Sequence, residues 1–194
     1  MGLDPTSRAR FNLAQSTILV LDPSPLGMAI IVQILTGFGA KRIHRCVSVA
    51  EAQEAVNSFE IHLMVIDGMA ETGEGYEFVR WIREHAAEPN KFAPVLLTAG
   101  HTMMSDVAKA RDCGGHFLVA KPIAPIVLLE RIIWASKGGR GFLFSETYVG
   151  PDRRFHEGER PGGLAGRRRD DPPPEAGGPP PVELSEPSAA ANLA

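Results

Sequence analysis

Cysteine is scarce: the 194 residues hold two, Cys46 and Cys113. A pair this sparse fits reduced thiols in a cytosolic fold better than a disulfide scaffold. Long apolar runs are missing too. None approaches the roughly 20 residues that a membrane span needs, and no signal-peptide core follows the N-terminus. Membrane insertion and secretion are therefore not expected, and the cytoplasm is. The six histidines show no tight ligand spacing and no accompanying cysteine pair, which argues against a zinc site. Met1-Gly2-Leu3-Asp4-Pro5-Thr6 formally matches a myristoylation pattern. An acid and a proline inside so short a match make chance the better account. The formal charge of −3, from 20 Lys+Arg against 23 Asp+Glu, excludes little, because a cationic site can sit inside a near-neutral total.

Glycine and proline are plentiful, but unevenly so. Residues 137–194 are under a third of the chain and hold 10 of its 20 glycines and 9 of its 16 prolines. Residues 1–136 carry nearly all the aliphatic periodicity. The division predicts an N-terminal extension over 1–16 and one globular domain over 17–136. It also predicts a C-terminal tail that cannot bury a core of its own.

Within the globular part, strands and helices alternate. Thr17–Leu21 is a short unbroken apolar run, as expected of a strand buried on both faces of a parallel sheet. Ser24-Pro25 supplies an N-cap and a first-turn proline for a helix reaching about Leu35. Ile43–Cys46 reads as a weak strand, and Ser48-Val-Ala-Glu51 has capping-box spacing for a helix ending near Phe59. Ile61–Ile66 is the third strand, with Asp67 at its carboxyl end. Tyr76, Val79 and Ile82 then recur at helical spacing. Pro94–Thr98 is a fourth strand, a helix follows from about Met103 to Cys113, and His116–Ala120 is the fifth strand. Leu128, Leu129, Ile132 and Ile133 share one face of a last helix.

Five strands alternating with five helices imply a doubly wound α/β fold with a five-stranded parallel sheet, of flavodoxin-like (βα)5 type. Ligands of such sheets bind beyond the carboxyl ends of the strands. Asp22, Asp67, Thr98 and Lys121 each close or follow a strand, so the fold should converge them there. Two acids, a hydroxyl and an ammonium are the parts of an aspartyl-phosphate site. One acid helps hold Mg²⁺ and the other attacks a phosphoryl group whose oxygens meet Thr and Lys.

On these residues, 17–136 resembles a CheY-like response-regulator receiver domain of the two-component systems. The resemblance makes Asp67 the phosphoacceptor, Thr98 the switch hydroxyl, and Lys121-Pro122 the family's lysine with its cis-linked proline. Asp22 and Asp67 would be the Mg²⁺ ligands. The family commonly has two adjacent acids after the first strand, whereas this chain has Asp22-Pro23, so a weak or absent Mg²⁺ site is expected. Glu71 and Glu74 are the nearest acids to substitute. Leu118 stands where the family has a switch aromatic. The first helix leaves few polar positions between Met28 and Leu35, suiting either a packed helix or a strip for a protein partner. Leu118 and Trp134 suggest a second docking face.

The tail holds no DNA-binding or enzymatic module, so neither DNA binding nor catalysis is expected. Its basic residues are seven arginines and the single Lys137. Arginine's planar fork makes paired bonds to guanine or phosphate and stacks on bases. Arg153, Arg154, Arg167, Arg168 and Arg169 are expected to contact guanine and phosphate. Asp152, Asp170 and Asp171 would accept from guanine's other edge or orient the arginines, and Tyr148 and Phe155 would stack. Tyr148-Val-Gly-Pro-Asp-Arg-Arg154 with Arg167-Arg-Arg-Asp170 resembles the CheY-like cyclic-di-GMP effectors. That resemblance implies a tail over 137–171 ordering around cyclic di-GMP as a stacked dimer. It also implies docking on the flagellar motor switch, with slower swimming and more surface attachment. Residues 172–194 are expected to be disordered. The alternative is a phosphorelay regulator phosphorylated on Asp67 by a histidine kinase or phosphotransfer protein.

Overall fold

The computed structural model describes residues 13–69, 72–100, 104–136, 141–145 and 148–152. Five parallel strands, β1 (Thr17–Leu21), β2 (Arg42–Cys46), β3 (Leu63–Asp67), β4 (Val95–Ala99) and β5 (Phe117–Ala120), form a sheet in the order β2-β1-β3-β4-β5. Five helices alternate with them: α1 (Pro25–Gly37), α2 (Val49–Ser58), α3 (Glu74–His85), α4 (Met104–Asp112) and α5 (Pro125–Ser136).

The expected starts are built as the sequence implies. The Ser24 hydroxyl accepts from Gly27 N–H, and Pro25 fills the first turn of α1, where its missing N–H costs no helical bond. At α2 the Ser48 hydroxyl accepts from Glu51 N–H while the Glu51 carboxylate accepts from Val47 N–H at 2.9 Å. The boundaries differ from the expected ones by one or two residues, as helix and strand ends do.

Every residue of β1 and β4 is buried, because helices cover both faces of the sheet. On one face, Ala52, Val56, Tyr76, Phe78, Val79, Ile82 and Cys113 pack on Leu19, Leu21, Met64, Ile66 and Leu97. On the other, Met28, Ile31, Leu35, Leu128 and Ile132 pack on Ile18, Val20, Val65 and Leu96. The apolar α1 thus packs one face into the core through Met28, Ile31, Val32 and Leu35 and leaves Leu26 and Ile30 exposed.

Two further strands lie beyond the expected domain end. β6 (Phe142–Ser145) pairs antiparallel with β7 (Tyr148–Pro151), and Asp152 N–H donates to Gly141 O at 2.8 Å. This hairpin borrows the receiver's surface. The Phe142 ring meets Phe92 edge-on with centroids 5.1 Å apart and lies 5.2 Å from the Arg83 guanidinium carbon. Arg83 is 1% exposed and is held by three carbonyls, those of Gly114 at 3.1 Å, Lys91 at 2.6 Å and Ala93 at 3.0 Å. Burial lowers its pKa to about 10. Of the expected extension over 1–16, residues 1–12 lie outside the described residues, as does the tail from 153 onward, while Leu13 and Ser16 are buried.

Candidate functional site: an acidic pocket at the carboxyl ends of the strands

Register brings the four sequence-predicted groups together. Asp67 lies opposite Thr98 across β3–β4, and Ala99 opposite Ala120 across β4–β5, with Lys121 next along. Asp22 follows β1 directly, and its backbone N–H donates to Cys46 O at 3.2 Å. Gly68 N–H donates to Thr98 O and Lys121 N–H to Ala99 O, each at 2.8 Å, so the sheet's ladder continues into the loops.

The side chains form a closed network. The Lys121 ammonium donates to Asp22 Oδ2 at 2.7 Å and also to Asp67 Oδ2. The remaining oxygens take backbone donors: Ser24 N–H reaches Asp22 Oδ1 at 2.9 Å, and Met69 N–H reaches Asp67 Oδ1 at 2.6 Å. Asp22 is 1% exposed and would be an expensive buried charge without these partners. Burial alone would lower the Lys121 pKa. Its bonds to Asp22 and Asp67, with their charges, outweigh that and raise it above the ordinary value. Lys121–Pro122 is a cis peptide, as the resemblance implied.

Two buried hydroxyls flank this network without hydrogen-bond partners, those of Thr98 and Tyr76. Thr98 is where it was expected, at 0% exposure. In the sequence, Tyr76 shows only the helical periodicity of α3. Its phenol packs on Gly68, where an added Cβ would stand 2.7 Å from the hydroxyl oxygen. Burial, then the charges of Asp106, Cys113 and Asp67, push its pKa up to about 12. Gly27 is fixed by the pocket as well: a Cβ there would come within 2.3 Å of Asp22 Oδ2.

The donor set for a divalent cation comprises Asp22 and Asp67. Pro23 is exposed and adds no side-chain oxygen, and no group of three or more His, Cys, Asp or Glu side chains suited to a metal occurs among the described residues. Two carboxylates suit Mg²⁺ when phosphoryl oxygens and water complete its octahedron. Here both are already engaged by Lys121. Glu74 does not supply the missing acid. It sits in the first turn of α3, lining a groove toward α2 with Val49 and Gln53. Glu71 lies outside the described residues. Leu118 packs partly buried against the core, so no aromatic ring occupies its position.

The sequence profile of the response regulator receiver domain matches residues 18–133. The chain belongs to the response-regulator receiver family. Solved structures agree on the fold. The beryllofluoride-activated receiver domain of DrrB matches with 24% identity and a TM-score of 0.54, over 63% of this chain and 97% of that one. Vibrio cholerae chemotaxis protein CheY4 matches with 20% identity and a TM-score of 0.56, over 62% and 98%. A putative pilus assembly-related protein of Burkholderia pseudomallei matches with 18% identity and a TM-score of 0.55, over 63% and 90%. A search of curated proteins finds no match.

Of the residues expected to contact a nucleotide, only Tyr148 and Asp152 are described. Tyr148 donates its hydroxyl to Pro151 O at 2.8 Å, and its ring borders Gly150, so it braces its own strand β7. Arg153, Arg154, Phe155, Arg167, Arg168, Arg169, Asp170 and Asp171 lie outside the described residues.

Proposed function

We propose that this receiver is a non-enzymatic cytoplasmic effector whose C-terminal segment binds cyclic di-GMP as a stacked dimer. When loaded it docks on a protein partner, the flagellar motor switch, to slow swimming and favour surface attachment. The observation supporting this reading is the β6–β7 hairpin. It carries Tyr148–Asp152 on the receiver, so the run opening with Arg153-Arg154 starts from a fixed point of the fold. Arginines with flanking aspartates supply the charge-assisted bonds a guanine dinucleotide requires. The cost of ordering a ligand-binding segment is offset by stacking and by those bonds.

Calorimetry with cyclic di-GMP on the full chain tests it. Arg153→Ala/Arg154→Ala and Arg167→Ala/Arg168→Ala should each weaken binding by at least about tenfold, as expected for lost charge-assisted pairs. A native chain that does not bind, or two variants that bind undiminished, would defeat the reading.

A second reading is favoured by one specific observation, the unpartnered Thr98 hydroxyl beside Asp67. In it, Asp67 accepts a phosphoryl group from a histidine kinase or phosphotransfer protein, and Thr98 and Lys121 hold the phosphoryl oxygens. Beryllofluoride with Mg²⁺ should then shift the amide signals of Asp67, Met69 and Thr98. Unchanged signals at millimolar Mg²⁺ would mean that Pro23 has disabled the site.

A further inference from the structure

The groove between α2 and α3 is lined by residues of neither the acidic pocket nor the hairpin. It measures about 460 Å³ and is lined by Val49, Gln53, Glu74, Glu77, Phe78 and Trp81. Its floor is aromatic: Phe78 and Trp81 stack with centroids 5.9 Å apart, and the Trp81 and His85 rings lie 6.1 Å apart. Its wall is acidic, because Glu74 and Glu77 stand one turn apart on α3 and both are exposed. A carboxylate pair beside a half-buried indole can receive guanidinium, which bonds the acids in its plane and stacks its face on the accessible part of the ring.

The chain carries such a ligand itself. Residues 153–169 contain six arginines against two glutamates, with Asp170 and Asp171 directly following, so the complementary charge is grouped in the pair and triplet of arginines. The run starts where β7 ends, and β7 packs against α3. At about 3.3 Å per extended residue, the stretch from Asp152 to Arg167 reaches about 50 Å, several times the width of a helix. Tethering also makes the encounter intramolecular, with an effective concentration that a separate basic peptide would have to match.

We propose that the α2–α3 groove holds the arginine-rich segment of its own chain, with guanidinium groups paired to Glu74 and Glu77 and stacked on Trp81. This contact belongs to the free protein and stands apart from the cyclic-di-GMP reading.

Trp81 and Trp134 are the two tryptophans of the chain, so full-length protein carrying Trp134→Phe reports on the groove alone. Acrylamide quenching of Trp81 should rise about twofold when Arg167→Gln/Arg168→Gln/Arg169→Gln removes the stacked cations. It should rise similarly in Glu74→Gln/Glu77→Gln, and in about 0.5 M salt, which screens exposed pairs. The arginine changes leave the described fold untouched, and far-UV circular dichroism checks the glutamate pair. Protection that disappears on dilution would assign the groove to a second copy and overturn the proposal. So would quenching that is equal in all forms, which would leave the groove open to a different molecule. A response to the arginine changes but not to the glutamate pair would place the segment elsewhere and overturn it too.

Discussion

At the residue scale, Lys121 decides the character of the pocket. Two carboxylates meet at its ammonium, and removing that charge strands both. Lys121→Met should cost about 3 kcal/mol, the usual penalty for breaking a buried pair by deleting one partner, and urea denaturation at neutral pH would measure it. The same lysine sets an alkaline limit. Its folded-state pKa is raised above the ordinary 10.5, so its contribution is complete below that value. The contribution is lost as pH rises through the folded value. Urea midpoints compared on either side of 10.5 should therefore fall more steeply for the native protein than for Lys121→Met. Tyr76 gives the opposite kind of prediction. Its buried hydroxyl has no partner, so Tyr76→Phe should leave stability unchanged or raise it by about 1 kcal/mol. A clear loss in thermal melting would show that the hydroxyl has a partner.

At the element scale, the hairpin and α3 are one unit because Arg83 joins them. Its three carbonyl partners belong to the segments entering β4 and β5, and its guanidinium lies over the Phe142 ring. Arg83→Lys keeps the charge but not the fork, so it should destabilise by about 2–3 kcal/mol and Arg83→Met by no less. Chemical denaturation of the full chain would check both. This junction also marks where the sequence stopped being legible. The strands, the caps at Ser24 and Ser48, and the quartet Asp22, Asp67, Thr98 and Lys121 could all be read directly, because each rests on local spacing or on a rule of parallel sheets. Arg83 could not. It sits between Ile82 and Glu84 in an amphipathic helix and looks like any solvated charge until the carbonyls of Lys91, Ala93 and Gly114 are brought around it. Phe142 and Phe144 are hard to read for a similar reason. Glycines around them suggest a tail, while their real partner, Phe92, is distant in sequence.

At the scale of the whole molecule, the boundary of the folded unit moves outward. A chain ending at Ser136 would uncover Phe92 and the Arg83 guanidinium, whereas one ending at Asp152 would retain the hairpin. The shorter form should be less stable by about 2 kcal/mol, from the apolar area the hairpin covers, with a correspondingly lower urea midpoint. The longer form should recover that difference. Ligand studies that compare a truncated receiver with the whole protein therefore need the later end point, or lost stability will pass for lost binding.

Gly114 sits at the opposite end of the strands from the acidic pocket, and a Cβ there would meet Val149 O at 2.7 Å and Arg83 Cγ at 2.9 Å. A survey of tolerated substitutions would accordingly show two intolerant poles on this small domain, one around Asp67 and one around Gly114. The second would look like another active site. It is the seam where the hairpin meets the sheet's other end, and it would record close packing rather than any chemistry.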